Sequence, residues 1–162
     1  MESSDQFHLT AAVGWLELGN PIEAHLEWKR ITESTQKAPA SLEVLWRICA
    51  ARKQWNDALE TARELIALDP ENPAGWIDRS FSLHEMKRTA EAWEQLFPVA
   101  EKFPRVSVIP YNLACYACQL GRLTEAKELL KRAMTLQSKI EIKQMALADP
   151  DLKPLREDIE GL

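Results

Sequence analysis

Residues 121–126 read GRLTEA, and three other stretches follow the same pattern: LGNPIEA at 18–24, KQWNDA at 53–58 and KRTAEA at 87–92. Each ends on an alanine, and Ala24, Ala58, Ala92 and Ala126 are evenly spaced, thirty-four positions from one to the next. Pro70 and Pro104 keep that interval, each twelve residues beyond its alanine. A period held over three steps marks a chain assembled from one repeated unit rather than an ordinary globular fold.

The residues around each alanine say what the unit is. Four positions on stand Trp28, Ala62, Leu96 and Leu130; seven on stand Ile31, Leu65, Val99 and Ala133. An i, i+4, i+7 spacing places all of them on one face of a helix. Alanine suits a point where two helices approach too closely for a larger side chain. An earlier helix is marked nine residues before each alanine by Trp15, Cys49, Leu83 and Ala117, which should be buried. Sixteen before stand His8, Leu42, Trp76 and Pro110, and twelve before stand Ala12, Trp46, Ser80 and Ala114. The pattern predicts helices near 6–18, 22–34, 40–53, 56–68, 74–86, 90–102, 108–120 and 124–137. Pro70 and Pro104 stop helices, because proline has no amide hydrogen and keeps its predecessor out of the helical region. Gly19 and Gly121 serve the tight turns.

A helix–turn–helix unit of this length, with these small and apolar positions, resembles the tetratricopeptide repeat over residues 6 to 138. Trp46 stands where the family prefers a small residue, Arg79 where an apolar one is usual, and Gln36 where the first unit would end in proline. The resemblance implies an all-α fold, an α-solenoid in which antiparallel helix pairs form a right-handed superhelix. It divides the chain into a polar tail (1–5), four repeats (6–37, 38–71, 72–105 and 106–138) and a capping helix and tail (139–162). In the closing SKIEIKQMALADPDLKPLREDIEGL, Ile140, Met145 and Leu147 are expected to cover the last repeat, with Leu152, Leu155 and Ile159 folding back. Its ALxDPDLxPLR pattern resembles the tails of bacterial repeat proteins, which points to a bacterial source.

Little in the chain suggests catalysis. Cys115 and Cys118 form a CxxC on a predicted helix, but a structural zinc site needs about four ligands. No second CxxC or HxxxH occurs, and His8, His25 and His84 are dispersed. A thioredoxin-like site would need the motif at a helix start after a strand. Phosphate-loop, dinucleotide, GxSxG and HExxH patterns are missing. The acidic pairs Asp69/Glu71 and Asp149/Asp151 read as turn and capping residues, and the tryptophans as packing. The expectation is no enzyme, no cofactor and no metal; a thiol site of Cys115, Cys118 and His84 is the remote alternative.

Net charge is −5 with both signs interspersed, so no basic stripe invites nucleic acid. No run approaches the roughly 18 apolar residues of a membrane span. MESSDQFH has no basic start or apolar signal core, and three cysteines suit a reducing compartment, so a cytoplasmic protein is expected.

Function then falls to a surface. By its resemblance to the family, the first helices should line a groove. Leu9, Glu43, Ile77 and Tyr111 form its inner row, Val13, Arg47, Phe81 and Cys115 the next, and Leu16, Ala50, His84 and Cys118 the third; Val44, Asp78 and Asn112 flank them. One arginine and one asparagine beside two acids make a poor clamp for a peptide carboxylate. An apolar or aromatic segment of a protein partner fits better, on a monomer or weak dimer. The alternative is a secretion chaperone resembling the class II type III group, holding an extended translocator segment.

Overall fold

The computed structural model describes residues 3–162. Its fold follows from one turn made four times. Gly19 (φ +74°), Lys53 (φ +56°), Lys87 (φ +64°) and Gly121 (φ +78°) all occupy the left-handed region, at the same interval as the alanines. At each, the following amide reaches back across the turn: Asn20 to Trp15, Gln54 to Cys49, Arg88 to Leu83 and Arg122 to Ala117, at 2.8, 2.9, 2.9 and 2.8 Å. The left-handed residue itself donates to the carbonyl three before it, completing a Schellman closure. The next helix starts at once, with Ala24, Ala58, Ala92 and Ala126 donating to Asn20, Gln54, Arg88 and Arg122. All four alanines are fully buried, as are Ala62, Leu65, Leu96, Leu130 and Ala133.

The helices are α1 (Ser3–Glu17), α2 (Pro21–Trp28), α3 (Glu33–Gln36), α4 (Pro39–Ala51), α5 (Trp55–Leu68), α6 (Pro73–Glu85), α7 (Thr89–Leu96), α8 (Val99–Lys102), α9 (Val108–Gln119), α10 (Leu123–Leu136), α11 (Lys139–Ala148) and α12 (Arg156–Glu160), with a 3₁₀ segment at Pro150–Leu155. The described residues contain no strand. The chain divides into two compact units at Ser82/Leu83, within α6.

In the first unit α1 pairs with α2 and α4 with α5. Leu9, Ala12, Ala24, Ile31, Val44 and Ile48 form a core with Val13, Leu16 and Trp28 against it. Helix α6 comes so close to α5 that a methyl group on Gly75 would lie 2.9 Å from Ile66 Cγ1 and 3.1 Å from the Ile66 amide nitrogen. In the second unit α9 packs on α7 and α10, and the 3₁₀ segment lies along α9. Leu152, Leu155 and Ile159 are buried there.

Several expectations need correction. The helix predicted over 22–34 ends at Trp28. Arg30 and Ile31 turn by i→i−3 bonds to Glu27 and Trp28, which carries Ile31 into the core at 3% exposure. The helix predicted over 90–102 breaks after Leu96, because Pro98 lacks the amide that would continue the ladder. Of the tail predicted over 1–5, Met1 and Glu2 lie outside the described residues, while Ser3–Asp5 form the first turn of α1. Trp15 is exposed rather than buried. On α11 it is Ile142 and Ala146 that pack inward, while Ile140 and Met145 face solvent.

Candidate functional site

In the first unit the face read from the sequence splits into core and surface. Leu9 is buried, and Val13 and Leu16 pack on its cluster, so these three hold α1 in place rather than line an open groove. Arg47 is exposed, and Glu43, Ile77, Asp78 and Phe81 are half-buried. Phe81 lies edge-on to Trp46 with ring centroids 6.0 Å apart, and 5.9 Å from the Trp55 ring. The Trp46 indole donates to Ser82 Oγ at 3.0 Å. This satisfies the out-of-place tryptophan, because Ser82 projects a hydroxyl from the facing helix.

The carboxylates here differ in their support. Asn72 Nδ2 donates to Glu43 Oε1 at 2.7 Å, while Asn72 Oδ1 caps α6 by accepting from the Ala74 amide at 2.9 Å. Asp78 receives no side-chain donor among the described residues. Burial, with the Glu43 charge adding to it, pushes the Asp78 carboxyl up to about 7.

Near the start of the chain, sequence reasoning missed a buried carboxylate. Asp5 Oδ1 accepts from the Thr32 amide at 2.9 Å, and Asp5 Oδ2 accepts from the Thr32 and Thr35 hydroxyls. It therefore caps α3 from 27 residues away, work that a capping residue usually does within its own turn. The Thr32 hydroxyl above all holds its pKa below the ordinary carboxylate value. A buried acid in a polar segment has no sequence signal beyond the two threonines.

In the second unit the predicted face is already occupied. Tyr111, Cys115, Cys118 and His84 are buried, and Asn112 is half-buried. The cover is the corner Asp149-Pro150-Asp151. Tyr111 Oη donates to Asp149 Oδ2 at 2.9 Å, and Cys115 Sγ lies 3.6 Å from the same oxygen. His84 Nε2 lies 2.7 Å from Asp151 Oδ2, and its Nδ1 is 2.9 Å from Thr89 Oγ1. Gln119 Nε2 donates to the Asp151 carbonyl at 2.8 Å. Asp149 also caps the 3₁₀ segment, accepting from the Asp151 amide at 3.0 Å. The capping role was legible in the sequence; the contact with α9 was not, because nothing local says that the corner folds back. Burial first, then the two aspartates, pushes the Cys115 thiol far above the ordinary thiol range, and burial raises Cys118 and Cys49 too. These are not the activated thiolates that a nucleophilic or redox site needs.

No helix among the described residues is long and apolar enough to cross a membrane. No protein-family model matches the chain, and no curated protein does. Solved structures do resemble it. TTC0263, a thermophilic tetratricopeptide-repeat protein of Thermus thermophilus, superposes with a TM-score of 0.80 at 22% identity, over 96% of this chain and 85% of its own. PilF of Pseudomonas aeruginosa gives 0.77 at 21% identity, over 97% of this chain and 70% of its own. MamA of Desulfovibrio magneticus, from its residue 41 onward, gives 0.73 at 19% identity, over 100% of this chain and 96% of its own. With its repeated turns and buried alanines, the chain has the all-α solenoid fold of tetratricopeptide-repeat proteins.

Proposed function

We propose that this protein is a non-enzymatic, cytoplasmic interaction adaptor of four repeats (6–37, 38–71, 72–105 and 106–138) closed by residues 139–162. It holds a segment of a partner protein against the α4 and α6 face of its first unit. The observation that supports this is Asp78: a half-buried carboxyl without a side-chain donor, beside Glu43 and flanked by Ile77 and Phe81. A desolvated acid is costly unless a donor meets it. A partner segment carrying a lysine or arginine beside apolar side chains supplies that donor as a charge-assisted hydrogen bond. Each apolar side chain buried adds roughly 1.5–3 kcal/mol before ordering costs, so micromolar affinity, about −8 kcal/mol, is expected. In the second unit the matching face is covered by Asp149 and Asp151, so Tyr111 and Cys115 are left out of this surface.

The test is charge reversal on both sides. Peptides selected from a displayed library should carry a basic residue next to apolar ones and bind with micromolar affinity. Asp78→Lys should abolish binding, and a peptide with its basic residue changed to glutamate should recover it on that variant. Selected peptides that bind wild type and Asp78→Lys equally would place the partner elsewhere.

A further inference from the structure

The sequence offers a CxxC with no further ligands, but the fold supplies them. Cys115 on α9 and Asp149 and Asp151 on the covering corner place one donor atom each within 4.8 Å of one another. His84, near the end of α6, brings Nε2 to 2.7 Å from Asp151 Oδ2. We propose that His84, Cys115, Asp149 and Asp151 form a binding site for a zinc-type divalent cation.

Three observations support this. The first is distance. A tetrahedral zinc centre with bonds of about 2.0–2.3 Å has ligand–ligand edges of about 3.3–3.7 Å. The Cys115 Sγ to Asp149 Oδ2 separation, 3.6 Å, already equals such an edge. The His84–Asp151 pair has to open by well under an ångström. His84 lies outside the group whose donor atoms are all within 4.8 Å of one another, so its ring has to swing closer to the Cys115 and Asp149 donors.

The second is outer support. A metal-bound histidine normally fixes its ring through the other nitrogen, and ligating carboxylates are themselves hydrogen-bonded. Thr89 Oγ1 stands 2.9 Å from His84 Nδ1, and Tyr111 Oη donates to Asp149 at 2.9 Å.

The third is Cys118. It lies one helical turn from Cys115 and is only 4% exposed, and its sulfur has no hydrogen-bond partner among the described residues. Burial first, then the charges of Asp151 and Asp149, raises its thiol above the ordinary range, so a second buried sulfur on the same helix lies within electrostatic reach of the cluster. A set of thiol, imidazole and carboxylate donors suits zinc over magnesium or calcium, which take oxygen ligands. On binding, the metal–sulfur bond replaces the Cys115 S–H bond, and that proton passes to solvent. The cation would join α6, α9 and the 149–151 corner at one point.

The experiment uses the full chain freed of metal with a chelator. Cobalt(II) added to it should give tetrahedral d–d bands and a sulfur-to-cobalt charge-transfer band at one equivalent, and zinc should displace the cobalt. Cys115→Ser should remove the charge-transfer band. Asp149→Asn and His84→Gln should each weaken zinc binding by more than the roughly 10–100-fold that loss of an outer-shell partner costs, while Cys49→Ser leaves it unchanged. The wild-type cobalt spectrum needs no variant and so does not depend on any of them folding. No cobalt or zinc uptake at tens of micromolar, or a spectrum without sulfur charge transfer, overturns the site. So does a charge-transfer band that survives in a folded Cys115→Ser chain.

Discussion

The Tyr111 hydroxyl donates to Asp149 Oδ2 at 2.9 Å, joining α9 to a corner 38 residues further along the chain. Asp149 also caps the 3₁₀ segment that carries Leu152 and Leu155 into the core. Tyr111→Phe removes only the donor and should cost about 1.5–3 kcal/mol, the loss of a hydrogen bond to a charged group. Asp149→Ala loses the cap as well and should cost more. Thermal unfolding of both variants in metal-free buffer, side by side, checks the order.

The Asp78 carboxyl predicts an unusual pH dependence. Its folded value, about 7, lies above the ordinary value of 3.8, so the native state holds this proton more tightly than the unfolded chain. Its contribution to stability is fully present below about pH 4 and is lost as pH rises to about 7. Asp78→Asn should match wild type near pH 4 and be more stable at pH 8, by on the order of 3 kcal/mol. Denaturant unfolding of the two proteins at both pH values measures the difference. Equal stabilities at pH 8 would show that the carboxyl is well solvated.

Lys53 and Lys87 hold left-handed conformations that the corresponding Gly19 and Gly121 adopt without a Cβ penalty. Lys53→Gly and Lys87→Gly should each stabilise the protein by about 1 kcal/mol, raising Tm by about 2–4 °C. Gly121→Ala should lower it by a similar amount. Calorimetry of the three variants tests whether one turn geometry governs all four positions.

Gly75 makes the opposite case, because its need is for space rather than for φ. Alanine there would put a methyl group 2.9 Å from Ile66 Cγ1 and 3.1 Å from a backbone nitrogen, which cannot swing aside. Gly75→Ala should destabilise by about 1–3 kcal/mol despite alanine's better helix propensity. A Gly75→Ala penalty that shrinks in an Ile66→Ala background, which removes Cγ1, would identify the side-chain clash as the larger part.

The fold could be read from the sequence because the chain states its rule four times. Ala24, Ala58, Ala92 and Ala126 are each buried for the same reason, and a single chance match could not have reproduced that spacing. Where the sequence misled, a single residue overrode the pattern. Pro98 breaks the helix over 90–102, and Asp5 draws the chain after Trp28 into a cap that local propensity does not contain. The site was less legible. Spacing places Tyr111, Cys115 and His84 on the first-helix faces, but what covers them depends on Asp149 and Asp151 returning from far along the chain. That is a tertiary outcome with no period to betray it. Leu9, Val13 and Leu16 show the converse, since family position assigns them to a groove and burial to the core.

The turn bonds at Gly19, Lys53, Lys87 and Gly121 each close within a few residues of themselves. A copied or excised stretch of one whole period would therefore carry its own joint intact and leave the neighbouring joints undisturbed. The Asp5–Thr35 clasp and the His84–Asp151 and Tyr111–Asp149 links occur once each, so growth or shrinkage of the array by whole units is free only between Thr35 and His84. Length in such a protein becomes a heritable dial, bounded on each side by a fastening made only once.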